Sequence, residues 1–228
     1  MNTEINIGFL LFPNLTQLDL TAPAQVLSRI PNAKIHLVWK DINSVKTDVG
    51  FSINPTTTFS ECPQLDVLCV PGGFGIGEQM IDGETLDFLR TQSKNAKYIT
   101  SVCNGSLILG AAGLLSGHKS ACHWIWKKYL HKFGAEAMDG RVVRDGKHIS
   151  GGGVTAGLDF AFTLASELAG EEVAKMLQLG LEYEPQPPYD CGTPVKAGNK
   201  LVEKVLALQI ERIKKIELNI EQASKAIK

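Results

Sequence analysis

Ile5–Phe12 is a near-continuous apolar run, the mark of a central strand covered on both faces, and Pro13 ends it. Leu15–Pro23 follows, and then Ala24–Ile30 with apolar positions at helical spacing. Proline is tolerated best in a first helical turn, so this helix is expected to begin near Ala22 and to leave Asp19 on the loop before it. Lys34–Lys40 predicts a second strand and Val45–Phe59, with Val49, Phe51 and Ile53 alternating, a hairpin. Asp66–Pro71 predicts a third core strand that runs into Gly72-Gly-Phe-Gly-Ile-Gly77, and Ile81–Lys94 an amphipathic helix. Tyr98–Val102 predicts another buried strand, and Asn104–Leu115, small and apolar without alternation, a packed helix.

Further on, Lys119–His123 predicts a strand, Trp124–Phe133 an aromatic helix, and Ala137–Ser150 a hairpin turning at Asp145-Gly146. Gly151–Gly157 is a second glycine-rich turn, leading into helices over Leu158–Leu168 and Glu171–Leu181. Glu184–Thr193 is proline-rich and predicts an irregular, docked segment. Asn199–Lys228 predicts a helix with Val202, Leu206, Ile213, Ile216, Ile220, Ala223 and Ile227 on one face, interrupted by Gln209. Its polar face mixes Glu and Lys, which suits packing on the body or on a partner subunit better than a membrane anchor. One α/β body over residues 1–197 with an amphipathic helix over 198–228 is the expected organisation. Strands alternating with helices indicate an α/β sandwich with a mainly parallel central sheet. Ligands of such sheets bind at the carboxyl ends of strands. Three strand ends carry unusual turns, after Pro71, at Cys103 and after Ser150, and if they converge they form one site lined with backbone N–H groups.

Composition narrows the partners. The 228 residues, 44% hydrophobic and 21% charged, can bury a core without disulfides or metal. A net charge of −1 gives no case for nucleic acid or an anionic membrane surface. The five cysteines are odd in number and scattered, as in a reducing compartment, and no C-x-x-C pair suggests zinc or a redox motif. Cys122 and His123 are adjacent, but on the expected strand they point to opposite faces, a poor metal pair. Met1–Glu4 lacks a basic leader and no run approaches a membrane span, so a cytoplasmic protein is expected.

The candidate chemistry centres on Cys103, set between a strand and a helix with Gly105 two residues on. The geometry matches the nucleophile elbow of hydrolases, where unpaired amides and the positive helix end favour a thiolate. The competing reading is a small buried hydrophobe. As a thiolate, Cys103 would be the first of the five cysteines to oxidise. Gly72–Gly77 lacks the lysine and hydroxyl of a P-loop and the spacing of G-x-G-x-x-G; its amides suit an oxyanion hole or simply a tight turn. Asp19, between Leu18 and Leu20, is either a helix-start cap or a general acid/base beside the thiol. His123 is either structural or a base for Cys103. Asn104 cannot act as a base, which argues against chemistry needing a Cys-His dipeptide.

These residues carry a resemblance. Asn6–Phe12 with Gln17-Leu-Asp-Leu-Thr-Ala-Pro23, Val70-Pro-Gly-Gly, Ser101-Val-Cys-Asn-Gly-Ser, Cys122-His-Trp and Gly151–Phe160 resemble the ThiJ/PfpI superfamily, over about Ile5 to Pro188. With Asp19 and the Leu181-Glu-Tyr-x-Pro-x-Pro-Pro segment, the pattern looks most like the isocyanide hydratase branch. The resemblance implies a flavodoxin-like three-layer sandwich, class I glutamine amidotransferase-like, assembled as a homodimer without cofactor or metal. It implies hydration of an isocyanide to an N-substituted formamide through a thioimidate. Cys103 would be the nucleophile and Asp19 the general acid/base; the amides of Gly72, Gly73 and Asn104 would be substrate or oxyanion donors, with Val154 close to the cysteine. One departure stands out: that branch carries threonine after the cysteine, so at Asn104 the amide survives and the side-chain contact does not. The alternatives are a glyoxalase- or deglycase-like enzyme, which typically has glutamate at the place of Asp19, and a redox sensor working through oxidation of Cys103. A DNA-binding regulator is not expected, because about thirty residues after Ala197 are too few for an AraC-type module.

Overall fold

The computed structural model describes residues 4–227; Met1–Thr3 and Lys228, the last residue of the expected helix, lie outside them. In chain order the elements are β1 (Ile5–Leu10), α1 (Gln17–Leu27), β2 (Ala33–Trp39), β3 (Val45–Lys46), β4 (Ser52–Ile53), β5 (Thr57–Thr58), β6 (Val67–Val70), α2 (Ile76–Gln79), α3 (Gly83–Ser93), β7 (Tyr98–Val102) and α4 (Gly105–Ala111). After these come β8 (Lys119–Ser120), a 3-10 helix (Lys127–Phe133), β9 (Glu136–Ala137), β10 (Val142–Asp145), β11 (His148–Gly151), α5 (Ala156–Ala169), α6 (Glu171–Gly180), α7 (Pro194–Ala197) and α8 (Asn199–Ala226).

Seven strands form the central sheet in the order β10-β11-β7-β6-β1-β2-β5, parallel throughout except for the β10–β11 hairpin. Helices flank it: α1 and α6 pack on α5, while α2 and α3 pack on α4. This is the expected flavodoxin-like α/β sandwich, and the apolar runs of β1, β6 and β7 are its buried middle. α8 lies outside α2, α4 and the 3-10 helix, burying Ile213, Ile216, Ile220 and Ala223.

Several boundaries differ from the sequence pattern. α1 begins at Gln17, with Pro23 inside it, so Asp19 stands in its first turn rather than on a loop. The first free amide there, Gln17 N–H, is taken by the Asp48 carboxylate at 3.2 Å, a cap from far along the chain. α3 starts two residues late because Asp82 caps it, accepting from Thr85 N–H at 2.8 Å. The Val45–Phe59 hairpin forms only as β3–β4, and β5 crosses to the sheet edge beside β2. The Lys119–His123 strand shrinks to β8, pairing with β9 outside the central sheet, so Cys122 and His123 lie on a loop and strand alternation does not govern them. The aromatic stretch winds as a 3-10 helix whose Phe133 packs directly on Gly110 of α4, where no larger side chain would fit. Residues 184–193 are irregular as expected but exposed throughout, not docked.

Candidate active site

β7 ends at Val102 and α4 begins at Gly105, leaving Cys103 and Asn104 to turn the chain. Cys103 takes φ +60°, a left-handed conformation that costs a non-glycine residue about 1–3 kcal/mol and persists only when its surroundings impose it. They do: Cys103 N–H donates to Gly151 O at 3.1 Å, and Cys103 O accepts from His123 N–H at 3.3 Å. Gly105 is required, because a Cβ there would sit 2.6 Å from Pro71 O and closer still to Val70 O. The three unusual turns do converge, since β6, β7 and β11 are neighbours with their carboxyl ends together. Asp19 joins them from beyond β1, across the point where strand order reverses.

Asp19 is 1% exposed. Its Oδ2 accepts from Gly72 N–H at 2.9 Å, and its Oδ1 has no hydrogen-bond partner among the described residues. Burial pushes its carboxyl up to about 7; the Gly72 amide and the neighbouring Cys103 thiol oppose that shift, and the charge of Asp48 adds to it. The cap reading of Asp19 therefore fails, and a buried carboxyl poised near neutrality beside a thiol takes its place.

Two expected substrate donors are already committed. Gly72 N–H is spent on Asp19, and Gly73 N–H donates to Asn104 Oδ1 at 2.7 Å. Asn104 Nδ2 returns a bond to Gly73 O at 3.2 Å. Neither glycine amide is free as an oxyanion donor, because each N–H has one proton to give. Their work is to hold Asp19 and to tie the glycine turn to the elbow. The asparagine thus supplies a contact of its own, a two-bond clasp on Gly73.

The thiol also differs from expectation. Burial, then the charges of Asp19 and Cys122, push Cys103 well above the ordinary cysteine range, outweighing the Asn104 amide that faces its sulfur. The short helix α4 does not overcome desolvation, and burial favours the thiol over the thiolate. Cys191 is exposed whereas Cys103 is buried, which removes the basis for expecting Cys103 to oxidise first.

Above the sulfur lies a cavity of about 230 Å³. Cys103, Asn104, His123, Trp126 and Val154 wall it, with Gln209 reaching in from α8. Burial holds His123 down at about 4, so its imidazole is neutral at pH 7 and weakly basic. Val154 stands on the turn two residues before α5. Gln209 was visible in the sequence only as a break in an apolar stripe; the break marks where the helix passes the cavity. Trp126 and Asp48 carried no local signal, since only the fold brings them here.

The chain can now be set beside known proteins. A Pseudomonas putida protein named isonitrile hydratase is 53% identical over 200 residues, which span 88% of this chain and 88% of that protein. The crystal structure of a ThiJ/PfpI family protein from Pseudomonas syringae matches with a TM-score of 0.92 and 42% identity, covering 96% of this chain and 91% of that one. Protein dj-1beta of Drosophila melanogaster is 29% identical, covering 75% of this chain and 94% of its own length. With residues 6–167 matching the DJ-1/PfpI family and the elbow, the Asp19–Gly72 contact and the sheet order in place, the chain belongs to the DJ-1/PfpI family.

Proposed function

We propose that this chain hydrates an isocyanide to an N-substituted formamide, with Cys103 as nucleophile and Asp19 as the one general acid/base. The observation that carries the reading is the buried Asp19 carboxyl, poised near pH 7 under the influence of the Cys103 thiol, with one oxygen held by Gly72 and the other without a hydrogen-bond partner among the described residues. Likeness to the Pseudomonas putida isonitrile hydratase supports the choice of substrate class.

The isocyanide carbon accepts a nucleophile but carries no leaving group, so attack must be matched by proton delivery. Ionised Asp19 takes the thiol proton on Oδ1 as sulfur bonds to the carbon, and the Asn104 amide steadies the sulfur charge as it forms. Asp19 then returns that proton to the carbon, giving the thioimidate R–N=CH–S–Cys103. Water adds across the C=N bond with Asp19 removing its proton, nitrogen is protonated, and collapse expels the thiol and releases R–NH–CHO. Val154 and Trp126 line the cavity and would offer the substituent an apolar wall. His123, neutral and weakly basic, takes no proton in this scheme. The proposed chemistry needs two side chains and water, with no cofactor.

We place the enzyme in the cytoplasm as a homodimer. Among the described residues no helix is long and apolar enough to cross a membrane. Exposed Leu208 and Leu218 leave apolar side chains on α8 that a second copy would cover. Incubation with a simple aryl isocyanide, followed by mass spectrometry, tests the reaction: the formamide should accumulate catalytically. Its absence, with turnover of α-oxoaldehydes instead, would move the chain to the glyoxalase-like reading.

A further inference from the structure

The cavity over Cys103 has a second hollow beside it, the two sharing Phe74 and Asp48 as wall. The inner space, about 230 Å³, is bounded by Phe74 and Asp48. The outer one, about 260 Å³, begins at the same two residues and is walled by Glu78 and, from α8, by Arg212 and Lys215. Each alone is smaller than the roughly 300 Å³ at which ordinary small-molecule sites begin. They adjoin at Phe74 and Asp48, so a substituent that passes between those two side chains would run outward from the reacting carbon into the second hollow. α8 supplies wall to both parts: Gln209 to the inner and Arg212 to the outer, three residues apart and so on one helix face.

The charges along the outer part are unequally occupied. Lys215 and Glu78 pair with each other at 3.2 Å. Asp48 accepts Gln17 N–H. The Arg212 guanidinium stands over the Phe74 ring, 4.6 Å from its centroid, and makes no ion pair among the described residues. A guanidinium held against a ring face can keep its N–H donors for another partner, and a carboxylate is the partner that its fork matches.

We infer that α8 selects the substrate: Arg212, with Gln209 beside it, binds a carboxylate carried on the N-substituent of the isocyanide. The inference rests on the hydratase reading above and narrows it to isocyanides bearing an anionic group.

Three aryl isocyanides that differ only in the para group, as carboxylate, methyl ester or aminomethyl, test it against the full-length protein. The carboxylate should exceed the ester in kcat/KM by about tenfold, the scale of one charge-assisted contact, with the difference lying in KM. Arg212→Gln should collapse that ratio, and Arg212→Lys should restore part of it. Equal turnover of all three, preference for the aminomethyl compound, or a carboxylate preference that survives Arg212→Gln would overturn the inference while leaving hydration standing. Hydration of none of the three would overturn the hydratase reading and this inference together.

Discussion

At the scale of single residues, the site depends on one carboxyl placed where it does not want to ionise. Asp19→Asn keeps the shape and an acceptor for Gly72 N–H but cannot shuttle protons. It should fold normally and lose kcat by about 10²-fold or more, the usual range for general acid–base catalysis. The pair Cys103–Asp19 works with one proton between them. As pH falls through about 7 the pair takes up a second, so kcat/KM should fall on the acid side with an apparent pKa near that value. A flat acid limb in the wild type would remove Asp19 from the chemistry. The same shift has a stability consequence. Unfolded, the carboxyl titrates near 3.8; folded, near 7, so its burial costs nothing below pH 3.8 and the cost grows to about 4 kcal/mol as pH passes 7. Urea unfolding at pH 8 should therefore find Asp19→Asn more stable than wild type, with the gain fading by pH 4. Cys103 and Asp19 were legible because an elbow cysteine and a carboxylate between leucines are each odd in local context. The resting state of the thiol was not, since desolvation depends on what the fold places around it.

At the scale of elements, the elbow is held by close backbone approach. Gly105→Ala would drive a methyl group into the carbonyls of Val70 and Pro71. Overpacking of this kind costs about 1–3 kcal/mol, and here the neighbours are rigid main chain. Thermal unfolding should show the loss, and activity should fall further than stability does because the strand-end geometry around Cys103 shifts. α8 behaves differently. Ile220 is fully buried against the body, so Ile220→Ala should cost about 2–5 kcal/mol by denaturant titration. A change under 1 kcal/mol would mean that the helix is loosely attached. The long amphipathic helices and the apolar strands were readable from periodicity. The strand expected at Lys119–His123 and the helix expected at Trp124–Phe133 are present but as the two-residue β8 and a 3-10 helix, because their extent and form are set by β9 and α4, outside the local pattern. The start of α1 was misplaced for the same reason: its cap comes from Asp48, thirty-one residues from Gln17.

At the scale of the whole molecule, topology brings the chemistry together. Strand order reverses between β1 and β6, and Asp19 follows the first while Gly72 follows the second. Sedimentation at micromolar concentration should report a dimer; a monomer would leave the exposed Leu208 and Leu218 of α8 without the partner proposed for them. The central claim is that an isocyanide becomes bonded to Cys103 and leaves as a formamide. Rapid quenching of wild-type protein during turnover, followed by peptide mass spectrometry, measures this directly. The peptide containing Cys103 should gain the full mass of the isocyanide, with nothing lost, and should return to its free mass as formamide appears. Formamide formed at the same rate by Cys103→Ala, with no adduct on any wild-type peptide, would contradict it.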